Sequence, residues 1–268
     1  MRSFAGARNE NDFMKLMTYN ILNGGEAGLD LVIDVVKKES PDFLTINEAN
    51  TFSGQENKLL KEFADKTGFK YYELGLSGEY DYHVAVLSKY PLKQIQKLQP
   101  LMRACLISVI ETELGEISVA SLHLTPYTED LRHPEIDLIL NYQSKFENKI
   151  LMGDMNSLSP NDDYSPEMVA NFNDMQMKKF TTDGKLRFDA IGKILSKGYI
   201  DSAVKLGKNK EHTAPTAINE HSAHSDMRLD YVFVSESLVP YLQNYRVVKN
   251  ELTERASDHY PVIVELQK

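Results

Sequence analysis

The chain has 268 residues, 42% of them hydrophobic and 26% charged, which is enough apolar surface to close a large core and excludes a disordered chain. Thirty basic residues against 39 acidic give a formal net charge of −9, excluding the overall basic footprint of a strong duplex binder but not a local patch or a bound cation that reverses the field. The single cysteine, Cys105, excludes an intramolecular disulfide framework and points to a reducing compartment.

Taken in chain order, Met1 to Phe13 contains no apolar segment of signal-peptide length and reads as an irregular leader, with one domain expected over residues 14–268. No later run approaches the ~18 residues that span a bilayer, so the expected location is cytoplasmic. Met14 to Ile21 is β-rich and is broken by Asn23-Gly24-Gly25; Leu29 to Ser40 repeats apolar residues at helical spacing until Pro41 stops it. Pro41 to Ala49 reads as a second buried strand, and Gly54 to Gly68 as an amphipathic helix. From Phe69 to Leu124 the pattern changes to short β-type runs with turn signals at Lys89-Tyr90-Pro91 and Leu114-Gly115, the pattern of antiparallel hairpins. Cys105 falls in the run CLISVI, where it reads as a buried strand residue rather than a nucleophile. A helix is expected over Leu131 to Glu147, a strand over Lys149 to Gly153, a polar surface excursion over Asn156 to Gly184, a helix near Arg187 to Leu195, and strands near Leu229 to Val234 and Val262 to Leu266. Two successive half-patterns of this kind predict two mixed sheets packed face to face with helices outside.

Most of the strong strand runs end on residues that a core would not choose: Asn20 in TYNILNGG, Glu48 in INEAN, His123 in SLHLTP, Asp154 and Asn156 in GDMNS, Asp230 in RLDYVFVS, and Asp258 with His259 in SDHYPV. Each alone reads as a cap or turn residue. Their recurrence at so many strand ends points to one site carried by a rigid scaffold. Carboxylates and amides without a cysteine cluster suit a hard cation such as Mg²⁺ or Mn²⁺ rather than zinc. Two imidazoles without a Ser-centred elbow suit proton transfer and charge stabilisation rather than covalent catalysis.

In their order, TYNI, NEAN, SLHL, GDMNS, RLDYVFV and SDHYPV resemble the endonuclease/exonuclease/phosphatase superfamily, the deoxyribonuclease I-like fold, over Met14 to Lys268. The resemblance implies a four-layer α/β/β/α sandwich with its site between the sheets, and hydrolysis of a phosphoester by metal-assisted water. It assigns Glu48 as the main metal ligand, helped by Asn20 and Asp258, and Asp154 as the group that orients or deprotonates the water. Asn156 would hydrogen-bond the phosphoryl group, His259 would stabilise the pentacovalent centre with Asp230 fixing its ring, and His123 would face a phosphate oxygen or the leaving group. Three departures narrow the reading. Asn47 stands where the family has glutamine, His123 replaces the tyrosine of repair-type apurinic endonucleases, and no tryptophan is present to wedge into a base stack.

Secondary candidates are Thr213 and Arg228 as phosphate contacts, and Arg103 as a clamp on an anionic group or a snorkelling strand-edge arginine. Tyr71, Tyr72, Tyr80 and Tyr82 read as sheet-face residues or as a base-stacking surface, and His212, His221 and His224 as solvated loop residues or a second metal site. The expected substrate is a phosphoester, whether a small molecule, a lipid head group, or single-stranded or damaged nucleic acid. No protein partner is implied. A catalytically inactive binding module of the same fold is the competing reading, and the complete polar set argues against it, because a relic has no reason to retain buried acids.

Overall fold

A computed structural model describes residues 13–218 and 226–268. Its strands are β1 (Met14–Asn20), β2 (Phe43–Asn47), β3 (Tyr71–Gly75), β4 (Val84–Ser88), β5 (Leu92–Leu98), β6 (Ala104–Thr112), β7 (Gly115–His123), β8 (Lys149–Asp154), β9 (Thr181–Thr182), β10 (Lys185–Leu186), β11 (Tyr199–Asp201), β12 (Asp230–Ser235), β13 (Leu242–Val247) and β14 (Val262–Leu266). One six-stranded sheet runs β13-β14-β1-β2-β4-β3 and the other β11-β12-β8-β7-β6-β5, with β9 and β10 forming a small separate hairpin.

Side chains alternate across each strand, so every buried strand feeds two layers. Leu16, Phe43 and Val86 of the first sheet meet Leu106, Val119, Met152 and Val232 of the second between the sheets. The neighbouring Met17, Ile46 and Ala85 point the other way, onto Val32, Val36, Leu60 and Phe63 of the helices Leu29–Glu39 and Gly54–Thr67. On the far side Cys105, Ile107, Leu151 and Phe233 pack under Ile136, Ile139, Ile191 and Ile194 of the helices Glu129–Gln143 and Asp189–Ser196. The fold is therefore the expected four-layer α/β/β/α sandwich. Cys105 is fully core, and burial pushes its thiol pKa well up.

The expected hairpins exist inside each sheet, but the β-rich stretch divides between the two. β3 and β4 pair antiparallel in the first sheet, whereas β5, β6 and β7 form an antiparallel meander in the second, so the chain changes sheet across the Lys89-Tyr90-Pro91 turn. The 156–184 segment is more than a surface excursion. It carries the helices Pro166–Ala170 and Asp174–Phe180, and Phe180 packs with Leu158, Ala214, Met227 and Leu229 in a core of its own. Among the described residues no helix is long and apolar enough to cross a membrane.

Pairing direction gathers the polar strand ends. β1 and β2 are parallel, as are β7 and β8, so each pair delivers its C-terminal residues to the same end of its sheet. β12 and β14 run antiparallel to β8 and β1 and contribute their N-terminal ends there. Asn20 registers with Asn47, and Asp154 lies between His123 on one side and Asp230 on the other.

Candidate active site

At this shared end Asn20 joins the two sheets: its Nδ2 donates to Glu48 Oε1 at 3.3 Å and to Asp154 Oδ2 at 3.1 Å. Glu48 Oε2 accepts from the Asn23 backbone N–H at 2.9 Å, so the NGG turn after β1 exists partly to hold this carboxylate. Glu48 and Asn156 both adopt positive φ, +57° and +49°. Non-glycine residues there cost on the order of 1–3 kcal/mol each, a strain characteristic of functional positions. Burial raises the pKa of Glu48, and the negative charge of Asp258 adds to the rise.

Asp154 is 2% exposed and has partners on both oxygens. Oδ1 accepts from the Asn156 N–H at 2.8 Å, while Oδ2, besides Asn20, lies 3.5 Å from His123 Nε2. Burial works to raise its pKa, yet the His123 imidazole and the positive charges of His259 and Lys179 outweigh it and hold the acid at about 2, below its ordinary range. The preceding Gly153 is required, because a Cβ at its φ of +144° would lie 1.8 Å from the Leu122 carbonyl oxygen. His123 is buried, its Nδ1 has no partner among the described residues, and desolvation with the nearby positive charge of Arg103, His259 and Lys179 drives its pKa down to about 3 despite Asp154. It is neutral at physiological pH.

His259 Nδ1 lies 2.7 Å from Asp230 Oδ2, the Asp-His pair expected from the sequence. Burial opposes the imidazolium, but Asp230, then Asp258 and Asp154, raise its pKa to about 10, so the pair keeps its proton on the ring. Ser257 Oγ donates to the Asn20 carbonyl at 2.7 Å and accepts from the His259 N–H at 3.3 Å, which ties the approach to β14 against the end of β1.

Ligand-capable atoms of Asp154, Asp230 and His259 all lie within 4.8 Å of one another. The His259 nitrogen facing Asp230 is spent on that pair. The carboxylates of Glu48 and Asp258 suit a hard cation better, because they lie close enough for the charge of Asp258 to raise the pKa of Glu48, a repulsion that a cation would relieve. Asn20, expected as a further ligand, turns its NH₂ toward Glu48 while its Oδ1 accepts from the Leu22 N–H at 3.1 Å.

Three residues behave differently from the sequence expectation. Arg228 is 2% exposed, forks onto Asp162 at 2.8 and 2.9 Å, bonds Asp201 at 2.7 and 3.0 Å, and lies 4.4 Å over the Tyr231 ring. Thr213 Oγ1 accepts from the backbone N–H groups of Leu229 and Asp230 at 2.9 and 3.1 Å. Both anchor the start of β12 rather than offering a phosphate contact, because their polar atoms are already committed. Asn47, a departure from the family pattern, makes its own bridge between the sheets: Nδ2 donates to the Leu122 carbonyl at 2.7 Å and Oδ1 accepts from the Asp154 N–H at 3.1 Å.

Arg103 is 9% exposed, stacks 3.5 Å over Tyr82, and has a buried Nη1 without a partner among the described residues. Tyr82 meets Tyr80 edge-on at 6.5 Å, and Tyr80 is 75% exposed. Tyr71 and Tyr72 are β3 residues. His212 sits edge-on to Tyr260 and 3.3 Å from Lys249 Nζ, while His221 and His224 lie outside the described residues. One site residue escapes the sequence reading altogether. Lys179, 6% exposed, donates to Asn156 Oδ1 at 2.5 Å, and nothing in the local pattern MQMKKF separates it from a solvated helix lysine.

Solved structures share this fold. An AP endonuclease from Archaeoglobus fulgidus superposes with a TM-score of 0.72 at 20% identity, covering 95% of this chain and 100% of that one. An endonuclease/exonuclease/phosphatase family protein from Leptotrichia buccalis C-1013-b gives 0.67 at 22%, with the same coverage. The 3′ phosphatase NExo from Neisseria, bound to a product DNA hairpin, gives 0.67 at 17%, again covering 95% and 100%. No curated protein matches the chain in sequence. Residues 17–259, which hold every candidate site residue described above, match the Endonuclease/Exonuclease/phosphatase family, and the chain belongs to it.

Proposed function

We propose that this chain is a divalent-metal-dependent phosphoesterase, using Mg²⁺ or Mn²⁺ to support attack of water on a phosphoester. The observation that carries the reading is the linkage of Glu48, Asn20 and Asp154 across two sheets, with the His123, Asn156 and Asp230–His259 groups around the same carboxylate. Glu48 and Asp258, with Asn20 steadying Glu48 through its Nδ2, would hold the cation, which when bound neutralises charge on the phosphoryl and leaving oxygens. Asp154, kept ionised, accepts a hydrogen bond from the attacking water and takes its proton. Asn156 donates to a phosphoryl oxygen. His259, held by Asp230, faces the charge that grows there, and neutral His123 donates to a second oxygen or to the leaving group.

Replacement of Glu48 by Gln removes one negative charge while preserving shape. The variant should fold normally and bind Mg²⁺ about tenfold or more weakly. Calorimetric titration with an unchanged affinity would take Glu48 out of the site.

The substrate class is approached with a panel of phosphomonoesters, phosphodiesters, inositol phosphates and oligonucleotides, each with Mg²⁺, Mn²⁺ and a chelator. Metal-dependent turnover on one class is the expected result. A folded protein that hydrolyses none of them would instead be a binding module of this fold. The Arg103-Tyr82-Tyr80 stack favours, as a second reading, a substrate that carries a base beside its phosphate, such as single-stranded or damaged nucleic acid.

A further inference from the structure

Lys179 is a buried cation that the proposed chemistry leaves without a task. It stands in the last turn of the helix Asp174–Phe180, which starts at a capping box between Asn173 and Gln176. Its backbone is also fixed, since Arg132 Nη1 donates to the Lys179 carbonyl at 3.3 Å and the Arg132 Nε to the Thr125 carbonyl at 2.9 Å. Among the described residues the ammonium has one hydrogen-bond acceptor, Asn156 Oδ1. Taking a lysine out of water costs several kcal/mol, and one acceptor with the Phe180 ring 5.0 Å away returns only part of it. Desolvation lowers its pKa to about 8, even with Asp154, Glu48 and Asp230 nearby to favour the charge. A methionine would fill such a position at less cost to the fold.

The geometry explains what the charge does. A carboxamide is nearly symmetric in shape but not in chemistry, and its two ends are told apart by their partners. The Lys179 ammonium can only donate, so it selects Oδ1. The Leu124 carbonyl can only accept, so it selects Nδ2, at 2.9 Å. Among the described residues one N–H of Asn156 is then left to offer. A positive charge on Oδ1 also polarises the amide and strengthens that remaining donor.

We propose that Lys179 is a positioning residue that locks and polarises the Asn156 carboxamide so that it presents an N–H to a phosphoryl oxygen. This rests on the reading of the cleft as a phosphoesterase site.

The test is a kinetic cycle on whichever substrate the panel identifies. Lys179→Met should lower kcat by about 10- to 100-fold with KM changed less than about threefold, because the lost interaction strengthens in the transition state. Lys179→Arg, which keeps a charged donor, should recover most of the loss, a recovery that a purely structural role would not produce. Asn156→Ala should cost at least as much as Lys179→Met, and the double variant should be no worse than Asn156→Ala alone. If the methionine variant melts early or the arginine does not fit, Lys179→Gln, a neutral donor, carries the same comparison. Wild-type kcat in Lys179→Met, or a double variant whose loss equals the product of the single losses, overturns the proposal. An impaired Asn156→Ala beside an unimpaired Lys179→Met overturns the role of Lys179 only. A fully active Asn156→Ala takes Asn156 out of the chemistry and the role of Lys179 with it, whereas a chain inactive on the whole panel overturns the reading of the cleft as well.

Discussion

His259→Ala should reduce turnover by ~10² to 10³, about 3 to 4 kcal/mol of transition-state stabilisation, while changing substrate affinity little. The reason lies in the 2.7 Å contact between His259 Nδ1 and Asp230 Oδ2, which holds the ring and keeps its positive charge in the cleft where, in the proposed reaction, negative charge would develop on the phosphoryl oxygens. Asp230→Asn should approach the same loss, because an amide can present an N–H to the ring nitrogen and turn the imidazole from its favoured protonation and orientation. Both substitutions act through one ring, so their effects should not multiply. A double variant whose rate loss is the product of the two single losses would refute the coupling. Wild-type turnover in His259→Ala would refute the mechanism itself.

Much of this is legible in the sequence because the information is local. Buried strands announce themselves as apolar runs, and although one polar residue at the end of such a run reads as a cap or turn, its recurrence at run after run makes Glu48, His123, Asp154, Asp230 and His259 stand out before their neighbours are known. The structure then gathers them: parallel β1/β2 and β7/β8 each place their C-terminal ends at one end of their sheet, antiparallel β14 and β12 add their N-terminal ends there, and Asn20 links the two sheets. What is not legible depends on partners distant in sequence. Arg228 looks like any phosphate-binding arginine until Asp162 and Asp201, 66 and 27 residues away, are seen to absorb its guanidinium. Lys179 lies in a short, mostly polar helix whose buried side emerges only when Phe180 finds Leu158 and Met227. The short strands β11 and β13 escape the sequence reading for a related reason. β11 has only three residues, and β13, LQNYRV, alternates too weakly to separate an edge strand from a loop. Asn47 shows the limit of comparison by residue type: the shorter amide still ties the sheets, because the Leu122 carbonyl and the Asp154 N–H come within its reach.

Asp154→Asn should lower turnover further than any other single substitution here, by ~10³ to 10⁴, the upper part of the range for a positioned acid or base. The carboxylate is the acceptor for two donors, the Asn156 N–H at 2.8 Å on Oδ1 and Asn20 Nδ2 at 3.1 Å on Oδ2. An asparagine must turn its own NH₂ toward one of them, so a donor faces a donor and either Asn156 or Asn20 moves, in addition to the loss of the group that, in the proposed reaction, would take the proton. Asp154→Ala should therefore be no worse than the asparagine in rate, although it is the larger change in shape. Stability should fall by much less than the rate, and with a pH dependence of its own. The folded-state pKa of about 2 lies below the ordinary carboxylate value, so the ionised acid contributes stability that is present above the unfolded pKa near 4 and is lost as pH falls toward 2. Measured without metal, the asparagine variant should lose on the order of 2 kcal/mol at neutral pH, and its deficit against the parent should shrink as the pH drops through that window. At neutral pH and moderate temperature a domain of ordinary stability stays folded after such a loss, so its folded fraction cannot account for a rate lower by three or four orders of magnitude. A variant whose remaining rate tracks its folded fraction, or one that keeps wild-type turnover, would make Asp154 a structural residue and leave the attacking water without its acceptor.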